Sequence, residues 1–155
     1  MYTKSSYFPF LLVNECARSI HGVGFIVIHD NFNLMQKNIL TIFGVIFLAI
    51  GVLGFVNNPL LGIFEVDALH NIIHILTGAL ALVAVSMGRG AMSTFSKVFG
   101  IVYGLVAVLG FISGTAVLGL IPVNLADNVL HLVIAVVFLY LGFGQGKDSS
   151  SSGGM

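Results

Sequence analysis

The sequence predicts an all-helical, integral membrane bundle of four spans, and three observations carry that prediction. Charged residues make up 8% of the 155-residue chain and hydrophobic ones 57%, against about 25% charged in an ordinary soluble domain. Mean hydropathy is +1.07. Four apolar runs divide the chain, each about as long as the roughly 20 residues a helix needs to cross hydrocarbon. Lipid cannot satisfy free backbone N–H and C=O groups, so such runs span as helices, and helices apolar all round pack together as a bundle. The same composition excludes intrinsic disorder, a coiled coil and a nucleic-acid partner that needs a basic face. With one cysteine, Cys16, neither an intrachain disulfide nor a Cys-Cys zinc knuckle can form.

Residues 1–34 form an extension that fits no span. SYFPFLLV and GVGFIVIH are short apolar patches split by Asn14, Glu15, Arg18 and His21, and they lack the joined basic, apolar and small-residue regions of a secretory signal. Two readings of the extension stay open: translation begins at Met35, or the segment lies in the interface on the cytoplasmic face. The membrane domain is placed at 35–143. Its first span, Ile39 to Val56, is eighteen residues without a charge. The link NNPLLGIFEV carries Pro59 and Glu65, and a second span runs from Asp67 to Met87, interrupted by His70, Asn71 and His74. Gly88-Arg89-Gly90 reads as a turn, followed by a third span from Phe95 to Ile112 and a fourth from Asn124 to Phe143. The tail, residues 144–155, is rich in Gly and Ser with nothing apolar to bury and reads as a disordered end.

Orientation follows from the cations, since Lys and Arg near span ends are retained in the cytoplasm. Lys37, Arg89, Lys97 and Lys147 fall on one side, while residues 57–66 and 113–123 contain no Lys or Arg. Both termini are therefore expected in the cytoplasm.

The second half of the chain repeats the first. Gly44, Gly54 and Phe55 recur as Gly100, Gly110 and Phe111, and after one inserted residue Leu61-Gly62, Val66, Asn71 and His74 recur as Leu118-Gly119, Val123, Asn128 and His131. Each unit, about 39–87 and 95–143, holds two spans, so both copies enter the membrane the same way and equivalent residues sit at equal depth. The repeated glycines let helix backbones approach, within the chain or between copies of it, and a homo-oligomer through glycine faces is one expectation.

One face of the second span carries Asp67, Asn71, His74 and Gly78, with His70 at its edge, and the fourth span repeats it as Asn124, Asp127, Asn128 and His131. Helix capping explains the first turn of each stripe: Asp67 and Asn124 are preferred N-cap residues, and Asp127 follows Asn124 at capping-box spacing. The histidines lie about 10 Å further along the axis, where polar side chains are costly and face the bundle interior. Asn71, Asn128 or the opposite imidazole could partner them in a structural polar layer of Asp67, Asn71, Asn124 and Asn128 with the histidines. Alternatively, His74 and His131 could hold haem iron between them, or His70, His74, Asp127 and His131 could bind a transition metal. Proton or ion passage through Asp127 and the histidines is a third reading.

Leu69-His70-Asn-Ile-Ile-His74-Ile-Leu-Thr-Gly78 and Ala126-Asp127-Asn128-Val-Leu-His131-Leu, with Gly51-Val-Leu-Gly-Phe55 and Leu61-Gly62-Ile-Phe64, resemble a family of small bacterial four-span membrane proteins classed as a domain of unknown function. The resemblance covers about residues 36–143 and implies four helices in a bacterial inner membrane. It implies no reaction, and the residues before Met35 depart from its pattern. The expected function is non-enzymatic, a structural or interaction role in the bilayer, with haem or metal binding as the alternative.

Overall fold

The computed structural model describes the backbone of residues 8–144 and the side chains of residues 31–144, so the expected disordered tail lies, after residue 144, outside the described residues. Its elements are α1 (Phe8–Leu53), α2 (Ala68–Met87), α3 (Arg89–Ser113), a short ribbon of β1 (Ala116–Val117) against β2 (Ile121–Pro122), and α4 (Leu125–Phe143). Among the described residues, four stretches are long and apolar enough to cross a membrane: Asn31–Leu53, Ala68–Met87, Arg89–Ser113 and Leu125–Phe143. Their outer faces display Ile42, Val45, Leu76, Val83, Leu105 and Val136, the surface expected of helices whose solvent is lipid.

Two boundaries differ by more than a few residues from those read in the sequence. The backbone of residues 8–34 continues the first span as one helix, because the polar residues that prevent a span there do not prevent helical hydrogen bonding. The turn expected at Gly88-Arg89-Gly90 is Gly88 alone, at φ 94°; that left-handed conformation is open to glycine, so the chain reverses in one residue and α3 begins at Arg89. Lys97 consequently sits eight residues into α3, about 12 Å along its axis. Its Nζ rests 5.2 Å from the centre of the Phe143 ring, which shelters the charge while the stem packs on apolar surface.

The helices associate as two close pairs, α1 with α2 and α3 with α4, and the pairs meet more loosely. Glycines make the close pairs possible. A Cβ at Gly78 would stand 2.7 Å from the Gly44 carbonyl oxygen and 2.9 Å from the Leu48 nitrogen, and one at Gly142 would stand 2.8 Å from the Lys97 nitrogen. At these points backbone touches backbone, the contact that drives helix association in lipid.

Between the pairs lies an aromatic core. Phe47, Phe95, Tyr103 and Phe138 are buried with Leu40 and Leu141, and Phe43 meets Phe138 edge to face at 5.1 Å while Phe95 stacks on Phe99 at 4.4 Å. At the end away from the ribbon, Gln36 Nε2 donates to the Leu141 carbonyl and Ser93 Oγ to the Gly142 carbonyl, both at 3.0 Å. Those carbonyls belong to the last turn of α4, which has no intrahelical donors left to satisfy them.

Candidate metal centre

The site is built at the ribbon end, from the N-terminal turns of α2 and α4. Asp67 caps α2 by accepting the His70 N–H on Oδ1 at 2.7 Å. Asn124 and Asp127 close a capping box on α4: Asn124 Oδ1 accepts the Asp127 N–H at 3.1 Å, and Asp127 Oδ2 accepts the Asn124 N–H at 3.0 Å. The same Asp127 oxygen accepts the Glu65 N–H at 3.2 Å, and Asn124 Nδ2 donates to the Ile63 carbonyl at 2.7 Å. The link before α2 is thus fastened to the start of α4, and the capping expected from sequence also locks one helix pair to the other. Two matching turns form the loops at the ribbon end: Leu61 and Gly62 have φ of 55° and 72°, and Leu118 and Gly119 have φ of 53° and 70°.

Asn71 and Asn128 sit one turn deeper, and both are buried. Their Oδ1 atoms have no hydrogen-bond partner; instead they lie against Gly54 and Gly110, at the ribbon ends of the neighbouring helices. Only a glycine leaves space for an amide oxygen there, and its Cα–H groups supply a weak donor. The asparagines therefore key each helix pair together rather than bridging to the histidines.

His70, His74 and His131 come together across the two pairs. All three are buried, and one ring nitrogen from each lies within 4.8 Å of the others. The His70 ring is 4.5 Å from that of His74 and 5.9 Å from that of His131. His131 Nδ1 is 2.6 Å from the Asp127 carbonyl oxygen. A carbonyl only accepts, so Nδ1 carries the proton, and the neutral ring presents the lone pair of Nε2. The Nδ1 atoms of His70 and His74 are buried without a hydrogen-bond partner. Such an imidazole cluster has the donors a borderline transition metal prefers. An ion held by all three at about 2.1 Å would draw the nitrogens to roughly 3.4 Å apart, a closure that side-chain rotation can supply.

Asp127, grouped with these histidines in the sequence, occupies a different role. One carboxylate oxygen, Oδ2, accepts two backbone N–H groups, and Asp127 is not among the three residues whose ligand atoms converge. What it gives the cluster is its backbone carbonyl, which orients His131, and a negative charge close by.

Three neighbours of the cluster were not singled out in the sequence. Phe47 presents its ring edge to His74 at 5.2 Å, and Tyr103 lies 5.4 Å from His131. The Tyr103 hydroxyl is buried, with the Thr77 side chain as its hydrogen-bonding neighbour. Thr77, buried one turn below His74, lines a cavity of about 230 Å³ together with Tyr103 and all three histidines. A signal for Tyr103 existed: among the four tyrosines, Tyr103 and Tyr140 alone fall in spans, where a buried hydroxyl calls for a partner. A second cavity, of about 310 Å³, lies between α1 and α4 past Ile46, Leu130 and Val133, and the three histidines, Tyr103 and Asp127 line it as well. A third, of about 430 Å³, lies among the ribbon-end loops at Asn58, Glu65 and Asn124.

None of the curated proteins and none of the solved structures matches the chain. Residues 37–144, which include both helix pairs and every residue of the histidine cluster, match the family model described as Domain of unknown function (DUF4383), and the chain belongs to that family.

Proposed function

We propose that this small multi-pass membrane protein binds a transition metal ion through His70, His74 and His131. The observation that carries the proposal is the convergence of three buried ring nitrogens from both helix pairs, with His131 held in the tautomer a metal requires. Asp127 lends nearby negative charge without joining the ligands. Haem held between His74 and His131 gains less support, because Phe47 and Tyr103 pack directly against those rings where a macrocycle would extend. Proton passage gains less support, since beyond Thr77 and Tyr103 the core cluster turns apolar at Phe95, Phe138 and Leu141.

A purely structural polar layer is the second reading, and the caps and the asparagine–glycine keys favour it for Asp67, Asn71, Asn124 and Asn128. We assign the sufficient unit to residues 35–143, two tandem repeats in a bacterial inner membrane with both termini cytoplasmic. Self-association through glycine faces draws no support from Gly44, Gly51, Gly78, Gly100 and Gly142, each of which meets a neighbour inside the chain.

The test is elemental analysis of protein purified in mild detergent and equilibrated with copper, zinc, nickel or iron salts. About one ion per chain is expected, retained through gel filtration and lost when His70, His74 and His131 are all replaced by Ala. Wild-type protein that stays metal-free while showing full helical circular dichroism would leave the structural layer as the function.

A further inference from the structure

We infer that the bound metal keeps one coordination position open toward the cavity between α2 and α3, and that this position takes a small, uncharged, lipid-soluble molecule of the dissolved diatomic gas type. The inference rests on the three-histidine site proposed above and specifies what that site is for. Three imidazoles leave a tetrahedral ion one ligand short. Among the described residues no further His, Cys, Asp or Glu joins the cluster, and Asp127 holds two backbone N–H groups on its Oδ2. The fourth ligand therefore arrives from outside the chain.

The cavity determines what can arrive. All three histidines line it, as they line the α1–α4 cavity, but the carboxylate-bearing Asp127 lines only the latter, and the remainder of the α2–α3 wall is apolar except for Thr77 and Tyr103. Its volume of about 230 Å³ exceeds a few water molecules, at about 30 Å³ each, yet it is smaller than an ordinary drug-sized site. Ile73, Val102 and Val106 line it along the seam where α2 and α3 pack loosely, and Val102, 44% exposed on the surface that meets lipid, stands at its rim. A molecule entering there has crossed hydrocarbon, which ions do not do cheaply. Tyr103, only 4% exposed and with its hydroxyl oxygen beside the Thr77 side chain, can turn its O–H as a hydrogen-bond donor beside His131 toward the far atom of such a ligand.

Carbon monoxide is the probe. The protein is loaded with Cu(I) under anaerobic reducing conditions, its copper content is measured, and the C–O stretch is recorded by infrared spectroscopy. One CO per copper is expected. Tyr103→Phe should keep the copper and shift the band. Val106→Phe, which fills the cavity, should keep the copper and weaken CO binding at least about tenfold, whereas Val133→Phe in the α1–α4 cavity should leave CO binding unchanged. Val102→Trp at the rim repeats the blocking test if the Val106 variant does not accumulate. Azide added to the Cu(II)-loaded protein should produce no charge-transfer band. Copper bound without CO uptake, a band indifferent to Tyr103→Phe, blockade by Val133→Phe instead of Val106→Phe, or an azide band would each overturn the inference. Absence of copper from the wild type would instead overturn the metal site on which it stands.

Discussion

His131 owes its usefulness to a bond within its own helix. The Asp127 carbonyl would ordinarily accept the N–H four residues on; here it also receives the imidazole proton, at 2.6 Å, and the lone pair is turned to the other nitrogen. The side chain of Asp127 acts elsewhere, so Asp127→Asn separates two roles: metal stoichiometry should persist, while the loosened capping box should lower stability by about 1 kcal/mol, read as a drop in melting temperature in detergent. Loss of the metal in that variant would instead identify the carboxylate as a ligand. Cap removal offers a graded comparison. Asp67→Ala discards one hydrogen bond to the His70 N–H, whereas Asn124→Ala discards a capping bond and the bond to the Ile63 carbonyl. Each should destabilise by about 0.5–2 kcal/mol, with Asn124→Ala the more severe. At this scale the capping residues and the histidines were legible from spacing alone. The asparagine–glycine contacts were not, because spacing says what lies on a face and nothing about the atom it meets on the next helix.

Helices here are joined by what they omit. At Gly78 the α1 backbone approaches so closely that a methyl group would stand 2.7 Å from the Gly44 oxygen, while at Gly104 its nearest neighbour would be the Ala135 Cβ at 3.7 Å. Gly78→Ala must push two backbones apart and should cost about 1–3 kcal/mol. Gly104→Ala meets only ordinary contact, and the gain in helix propensity makes it neutral or stabilising by up to about 1 kcal/mol. Thermal unfolding of the two variants in one detergent checks the contrast; equal losses would contradict the assigned packing. Gly100 and Gly104 share a small-residue spacing that reads as a single motif, but only Gly100 is tightly enclosed, with a Cβ there 2.9 Å from the Leu139 nitrogen. The spans themselves were legible from hydropathy to within a few residues at most ends. The start of α3 was displaced, since a glycine at φ 94° permits a tighter reversal than composition reveals.

At the scale of the whole molecule, the helix pairs meet through an aromatic core at one end and through fastened loops at the other, with the histidines above that core. The cation distribution sets an expected direction for this arrangement. In a Cys16→Ser background, Ser113→Cys at the ribbon end of α3 should react with a membrane-impermeant maleimide added to intact cells, and Ser86→Cys near the opposite end of α2 should react only after the membrane is opened. The reverse pattern would invert the proposed topology and place the loop cavity near Glu65 on the cytoplasmic side. Composition and periodicity determined, without coordinates, that this chain forms four apolar helices with a polar turn at the head of the second and fourth, because lipid leaves backbone and charge no other arrangement. Only the tertiary structure decided that His70, His74 and His131 share a point without Asp127, that Asp127 serves the backbone, and that Tyr103 and Thr77 border the same space. Those outcomes depend on side-chain directions across loosely packed helix pairs, and no pattern along a single strand of sequence encodes them.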